Sequence, residues 1–568
     1  MSVQQLYEEW IKQDLPNHLA NDLAAIANIE GEITERFYQS LSFGTGGMRG
    51  ILGAGTNRMN IYTIRHVAEG LARYIIANGN EAKKRGVALA YDTRHFSFEF
   101  ACETARVLGA HGIQSYVYKE SRPTPQLSFT VRELNAYAGA MITASHNPKQ
   151  YNGFKVYGED GAQLTPQFAN EIVAHMQDVS DLFAIEVAEL TDLEAQGLFT
   201  WLADDLDKAY MKQLLTLKSD PSASYDMKLV YTPLHGAGIV PVEEGLRQFG
   251  FTEVSIVEEQ AVPDGDFPTA PYPNPEEAAA FSKAIELGEK VGANLLLATD
   301  PDADRLGVAV WNGSTYELLT GNQLGALLID YLLATKQAQK TLPDNGIVVK
   351  TIVTSEFGEK IASHYNVETE NTLTGFKYIA EKIAQYEESS SHTYLFGYEE
   401  SYGYLIDPFA RDKDAVQVAL KVAEMAATYA EDGRTLLDRL EELYEQFGYH
   451  QEALLSETFE GKDGQEKMIV LLEGVRANVP TEFGDISVIR TEDYLIGRAI
   501  LADGTEEALT LPKENVIKFI LADGTWITVR PSGTEPKCKF YIGVVDSERD
   551  VAIEKLKQMK EAVLDRFG

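Results

Sequence analysis

The chain has 568 residues and a mass of 62.9 kDa, too long for one core; at about 150 residues per domain it predicts three or four domains. Its 44% hydrophobic and 24% charged residues are those of a soluble globular protein, and no run approaches the roughly 18 apolar residues of a membrane span. Fifty basic against 86 acidic residues give a net charge of −36 and a pI near 4.7, which excludes nucleic acid and anionic membranes as natural partners, so an anionic metabolite needs a local cluster of Lys and Arg.

The N-terminus, Met1-Ser-Val-Gln-Gln-Leu-Tyr-Glu-Glu, lacks the basic and apolar regions of a signal peptide. Cys102 and Cys538 are the only cysteines, so no disulfide framework is expected. Both point to a reducing, cytoplasmic setting. Leu6–Trp10 and Leu19–Ile26 carry helical periodicity. Val87–Tyr91 then reads as a strand, Phe100–Leu108 as a helix, and Ser115–Tyr118 and Ala138–Ile142 as strands. The pattern restarts at Lys228–Tyr231, continues at Asn294–Ala298, and restarts again at Gly346–Lys350 after the helical Leu324–Leu333. Such alternation predicts parallel-rich α/β sheets with their loops along one edge. The last segment differs: apolar runs at 519–526 and 539–545 flank a polar loop, and a helix at Val551–Leu564 closes the chain, predicting a smaller α+β domain.

The first chemical signal lies in Thr143-Ala-Ser-His-Asn-Pro148, which follows the strand Ala138–Ile142. Pro148 stops the ladder, leaving Ser145 and His146 on a tight turn at a sheet edge, where α/β enzymes place nucleophiles and phosphate-handling groups. Alone, the segment fits an ordinary turn equally well. The second is Asp300-Pro-Asp302-Ala-Asp304-Arg305, directly after the strand Asn294–Ala298. Alternate carboxylates lie about 6.5 Å apart on an extended chain. Clustered, they must bind a cation or raise one another's pKa. Hard oxygen ligands beside a phosphate favour Mg²⁺ over Ca²⁺; the plain alternative is a solvated acidic turn. The third, Arg530-Pro-Ser532-Gly533-Thr534-Glu-Pro-Lys-Cys-Lys539, gathers cations, hydroxyls and an exposed amide into a phosphate nest, or else into a polar hairpin. The fourth, Gly397-Tyr-Glu399-Glu-Ser401-Tyr-Gly403, offers groups suited to sugar hydroxyls, although Glu pairs are commonly just solvated. The fifth, Phe43-Gly-Thr-Gly-Gly-Met-Arg49-Gly50, lacks both the Lys-Ser/Thr of a P-loop and the spacing of a dinucleotide fingerprint, so ATP and NAD are not supported.

In this order, from Phe43 to Val545, the motifs resemble the α-D-phosphohexomutase family, and its longer phosphoglucomutase/phosphopentomutase branch in particular. The resemblance implies three tandem α/β domains with mixed, largely parallel sheets plus a C-terminal α+β domain around a central cleft. It implies a phosphoserine loop in 1–205, a metal loop in 206–318, a sugar loop in 319–445 and a phosphate loop in 446–568. It implies Ser145 as phosphoryl carrier, and Mg²⁺ between it and Asp300, Asp302 and Asp304. Thr374, Gly375, Glu399 and Ser401 would meet the sugar, and Arg305, Arg530, Ser532, Gly533, Thr534 and Lys539 the substrate. His146, Lys413 and Arg49 would stand at the reacting centre. The expected reaction interconverts glucose 1-phosphate and glucose 6-phosphate through glucose 1,6-bisphosphate, which also serves as activator. Phosphopentomutase or phosphomannomutase activity is the alternative. A metal-dependent phosphatase with Asp300 as nucleophile and a sugar-phosphate binding protein are the competing classes, and the oligomeric state is left open. Gly46 and Tyr398 depart from the residues usual in the family, Ser and Gly, and are expected to bear on sugar preference.

Overall fold

A computed structural model describes residues 2–44, 47–459, 461–531 and 537–567, without the side chains of 461–466. The chain forms two compact units. One comprises Met1–Thr320, Ala380–Glu388 and Ser401–Glu431; the other comprises Gly321–Ile379, Ser389–Glu400 and Asp432–Gly568.

The first unit opens with the helices Val3–Trp10, Asn17–Ala25 and Glu30–Phe37. Ser2 and Gln5 form a capping box at the first of them, satisfying backbone donors that helix starts leave open. Trp10 packs edge-on against Phe37 and Tyr62. A six-stranded sheet follows, in the order Gly47–Ile51, Tyr151–Tyr157, Ala138–Ile142, Val87–Tyr91, Ser115–Tyr118, Phe199–Leu202. The last four strands are parallel, and the first two attach antiparallel. Val87–Tyr91 and Ala138–Ile142 are buried at every position, as expected of parallel strands covered on both faces.

A five-stranded sheet comes next, in the order Tyr316–Leu318, Leu306–Trp311, Leu295–Thr299, Leu229–Thr232, Val254–Ile256. Its last three strands are parallel. Leu295–Thr299 and Leu306–Trp311 form a hairpin with Thr299 opposite Leu306, so the acidic segment between them is a connection at the strand's C-terminal end. That is where open α/β sheets hold ligands.

The second unit contains three parallel strands, Glu368–Thr372, Gly346–Thr351 and Thr393–Glu399. Tyr398 is fully buried. Its ring fills the space left by Gly325 and Gly358: a Cβ on either would lie 2.3 Å from the ring edge or the hydroxyl. Neighbouring side chains on a strand point to opposite faces, so Tyr398 is directed away from Glu399. The expected effect of Tyr398 on sugar preference is therefore replaced by a packing role in the helical layer behind the sheet. Gly46 lies outside the described residues.

The C-terminal sheet is antiparallel, in the order Tyr449–Thr458, Lys537–Asp546, Trp526–Pro531, Ile517–Leu521, Ile486–Asp493, Arg498–Leu501, Glu506–Ala508. The helix Arg549–Phe567 closes its core, packing Met559, Val563 and Phe567 with Phe519, Ile527, Val529, Phe540 and Ile542. The sheets are thus mixed α/β, with an antiparallel α+β domain last.

Candidate active site

Ser145 stands three residues past the strand Ala138–Ile142 and is 3% exposed. Its φ is +52°, a left-handed conformation that costs a non-glycine residue about 1–2 kcal/mol. The strain is held from below. Thr143 Oγ1 accepts the Ser145 amide at 2.8 Å and donates to Asp92 at 2.6 Å. Arg94, fully buried, donates to the carbonyls of Ser145 at 2.6 Å, Pro148 at 2.9 Å and Tyr151 at 3.2 Å, and also to that of Asn147. Asp92 neutralises this guanidinium at 3.2 Å. One buried cation therefore ties down most of the carbonyls of the turn. Arg49, on the antiparallel edge strand, donates to Asn147 Oδ1 at 2.8 Å.

Ser145 Oγ donates to Asp300 Oδ2 at 2.8 Å and meets His146 Nδ1 at 3.1 Å. Burial, and then Arg305 and Arg49, hold the His146 imidazole well below its ordinary pKa, so the ring is neutral near pH 7.

Asp300, Asp302 and Asp304 are buried, and each offers an oxygen within 4.8 Å of the others. The curl comes from Ala303, at φ +50°, and from Asp300 Oδ1, which accepts the amides of Asp304 and Arg305 at 3.1 and 3.0 Å. Burial, and then Asp302 and Asp304, push the Asp300 carboxyl well up. Burial would raise Asp304 too, but Lys413, Lys155 and Arg305 hold it well below the usual carboxylate range. Lys155 Nζ lies 2.9 Å from Asp302 and 3.4 Å from Asp304; Lys413 Nζ lies 3.2 Å from Asp304 and 3.1 Å from Asp412. The Lys413 stem crosses Gly403, where a Cβ would come within 2.1 Å of it. Thr124 donates to Asp302 at 2.8 Å. Arg305 is paired with Glu276.

Two buried carboxylate oxygens, Asp302 Oδ1 and Asp304 Oδ1, have no hydrogen-bond partner among the described residues. Orphaned anionic oxygens beside a third carboxylate and a serine hydroxyl fit a divalent cation, and an all-oxygen donor set suits Mg²⁺.

The structure thus brings Ser145, His146, Arg49, Lys413, Arg305 and the Asp triplet into one unit, where Ser401 also lies. The second unit holds another cluster. Glu399 Oε1 accepts the Gly375 amide at 2.8 Å, and the buried Thr374 Oγ1 has no partner among the described residues. Arg530 and Lys539 are directly opposed across two strands. Burial, and then Glu399, push Glu400 up to about 7 against the pull of Lys539 and Arg530. Burial lowers Lys377 to about 8, with Glu514 opposing and Arg530 adding to the shift. Ser532, Gly533 and Thr534 lie outside the described residues.

Sequence reasoning missed Lys155, Asp92, Arg94 and Thr124. Asp92-Thr-Arg94 follows the strand Val87–Tyr91 just as Asp300 follows Leu295–Thr299, a usable signal. Lys155 was hidden because the Asn-Gly pair in Tyr151-Asn-Gly-Phe-Lys155 carries turn chemistry, which masks the strand Tyr151–Tyr157. Nothing local marks Thr124, which meets Asp302 from 178 residues away.

Residues 40–182, 208–313 and 320–447 match phosphoglucomutase/phosphomannomutase alpha/beta/alpha domains I, II and III, and residues 486–559 match the C-terminal domain. A phosphoglucomutase of Staphylococcus haemolyticus is 39% identical over 520 residues, covering 91% of this chain and 92% of its own. One from Staphylococcus aureus MRSA252 is 38% identical over 558 residues, 97% of this chain and 98% of its own. The crystal structure of parafusin, a phosphoglucomutase from Paramecium, shares the fold with a TM-score of 0.65 at 17% identity, covering 93% of this chain and 96% of its own. A family protein from Burkholderia thailandensis does so with a TM-score of 0.66 at 17% identity, covering 92% and 97%. With all four domains matched in order and full-length relatives near 40% identity, the chain belongs to the phosphoglucomutase/phosphomannomutase family, the α-D-phosphohexomutases.

Proposed function

We infer that this protein is a phosphoglucomutase, an intramolecular phosphotransferase that interconverts glucose 1-phosphate and glucose 6-phosphate and works in the cytoplasm. The observation that carries the reading is the Ser145 hydroxyl, 2.8 Å from Asp300 in a buried triplet whose negative charge is met by Lys155 and Lys413. No helix among the described residues is long and apolar enough to cross a membrane.

Ser145 is the phosphoryl carrier. In the first half-reaction its Oγ–P bond breaks as phosphorus bonds to the free sugar hydroxyl, whose proton passes to a base; the product is glucose 1,6-bisphosphate. In the second half the other phosphoryl group returns to Ser145 Oγ, and the leaving sugar oxygen takes up a proton. Such transfers are mostly positioning and charge stabilisation. Asp300, Asp302, Asp304 and the Ser145 phosphate would hold Mg²⁺, which supplies charge neutralisation at the phosphoryl oxygens.

The remaining work falls to side chains. Arg94 and Thr143 fix the attacking angle of Ser145. Neutral His146, 3.1 Å from Oγ, exchanges a proton with that oxygen. Lys155 and Lys413, ammonium ions both held beside Asp304, supply the acid on the sugar side, and the neutral His146 ring is the base that takes the sugar proton and passes it to Ser145 Oγ. Arg49 and Arg305 counter the charge of the transferring group. Arg530 and Lys539 hold the phosphate that does not react, with Ser532, Gly533 and Thr534 completing that loop, and Thr374, Gly375, Glu399 and Ser401 meet the sugar hydroxyls.

The test is a panel of glucose, pentose and mannose 1-phosphates, with and without glucose 1,6-bisphosphate, combined with mass spectrometry of the Ser145 peptide. Glucose 1-phosphate should turn over fastest, with a phosphorylated Ser145 peptide and little inorganic phosphate. Preference for a pentose or mannose substrate would reassign the sugar. Steady release of inorganic phosphate with label on Asp300 would make the protein a phosphatase.

A further inference from the structure

Arg530 lies on the strand Trp526–Pro531, and its Nε donates to Glu514 Oε1 at 3.3 Å. That bond is long and single for an arginine–carboxylate pair; charge-assisted contacts are shorter and frequently bidentate. The same unit shows what a structural pair looks like: Arg439 grips Asp330 with Nε and Nη2, both at 2.8 Å. The other Glu514 oxygen, Oε2, is buried and has no partner among the described residues. Glu514 also opposes the lowering of Lys377, more strongly than Glu399 does. A carboxylate thus stands against Arg530 of the phosphate grip, loosely held and half satisfied.

Its support is local. Leu509 and Leu511, just before it in sequence, pack on the cluster that contains Ile352, Leu373, Tyr378 and Trp526. This anchors the connection between the strands Glu506–Ala508 and Ile517–Leu521 but leaves the Glu514 side chain 27% exposed, enough room to turn outward.

We propose that Glu514 is a resident anion that occupies the phosphate grip at Arg530 in the absence of substrate and is displaced when a sugar phosphate binds, so that every anion entering the grip must first displace it. This rests on the assignment of Arg530 to phosphate binding. A doubly charged phosphate can outcompete a single, long carboxylate contact and offers Arg530 two oxygens. A singly charged ester binds more weakly and must displace the same carboxylate. When the dianion arrives, like-charge repulsion moves Glu514 away.

The test is calorimetric titration of the full chain, phosphorylated on Ser145 and loaded with Mg²⁺, using methyl phosphate and methyl sulfate as probes. Glu514→Gln should tighten methyl sulfate and methyl phosphate alike, by about three- to tenfold each. Glu514→Ala, which removes the acceptor altogether, should move the same way. Arg530→Ala should weaken methyl phosphate at least about tenfold. Unchanged or weaker binding in both Glu514 variants, with Arg530→Ala still weak, overturns the inference, because Glu514 then only orients Arg530. Wild-type affinity in Arg530→Ala overturns the grip assignment itself and the inference with it.

Discussion

Arg94→Met removes the cation under the Ser145 turn while keeping most of the side-chain volume. The arginine donates to four carbonyls within 145–151 and faces Asp92 at 3.2 Å; its guanidinium also lies 5.0 Å from the Phe267 ring centre. Each charged hydrogen bond is worth about 1.5–3 kcal/mol, but the sum is not recovered, because water can enter and satisfy some carbonyls. Breaking a buried ion pair by deleting one partner costs about 3–5 kcal/mol. Asp92, already raised by burial despite Arg94, takes up a proton instead of staying a bare charge, so the lower end, about 3 kcal/mol, is the expected loss. That is roughly a hundredfold rise in the opening of the turn. Hydrogen exchange at the Ser145 and Asn147 amides, which now donate to Thr143 Oγ1 and Ala144 O, should accelerate by about that factor. kcat/KM for glucose 1-phosphate should fall about as much, and the deficit should deepen at higher pH, where protonating Asp92 is harder. Exchange within about threefold of wild type, with unchanged kcat/KM, would refute the claim that Arg94 sustains the left-handed Ser145.

Ser145→Ala removes the phosphoryl carrier: the mutase rate should fall by orders of magnitude and the peptide should carry no phosphate, and a near-normal rate would sink the central assignment. Lys155→Met should lower kcat by at least about a hundredfold, while less Mg²⁺ suffices to protect the protein against thermal unfolding, since the ammonium facing Asp302 and Asp304 is gone; an unchanged Mg²⁺ requirement counts against that placement. Glu452 is pushed up to about 7 by burial, against hydrogen bonds from Ser355 and Asn322. The native state therefore holds a proton that the unfolded chain has lost between about pH 4.5 and 7, so stability falls as pH rises through that window, by about 3 kcal/mol. Glu452→Gln should raise the unfolding midpoint at pH 8 and leave it nearly unchanged at pH 5; equal shifts at both pH values would show that the burial cost is absent.

Much of this was legible because the chemistry sits on abrupt transitions in local pattern. Ala138–Ile142 and Leu295–Ala298 are apolar throughout, so Ser145 and Asp300 stand out as polar residues within three positions of the end of a buried apolar run. The last domain betrayed itself by apolar runs without intervening helix signals. What escaped was long-range. Arg94 matters because two strands distant in sequence lie side by side in the sheet, and Lys155 because its strand runs antiparallel beside Ala138–Ile142 and delivers it to Asp302. No local periodicity encodes such meetings. Tyr398 misled for a related reason: its position in the motif suggested a ligand-facing role, whereas strand alternation sends it to the opposite face.

Tyr398 has a bearing on how relatives can be recombined. Its ring occupies a volume that only Gly325 and Gly358 leave open, so three positions spread over more than seventy residues share one cavity. Transplanting a sugar loop with glycine at 398 into this scaffold would leave a void the size of a phenol, and transplanting this loop into a scaffold with larger residues at 325 or 358 would force a collision. The interchangeable module is therefore the loop together with the two helices behind it, and chimeras cut at the loop borders would fail in the core before any sugar reached them.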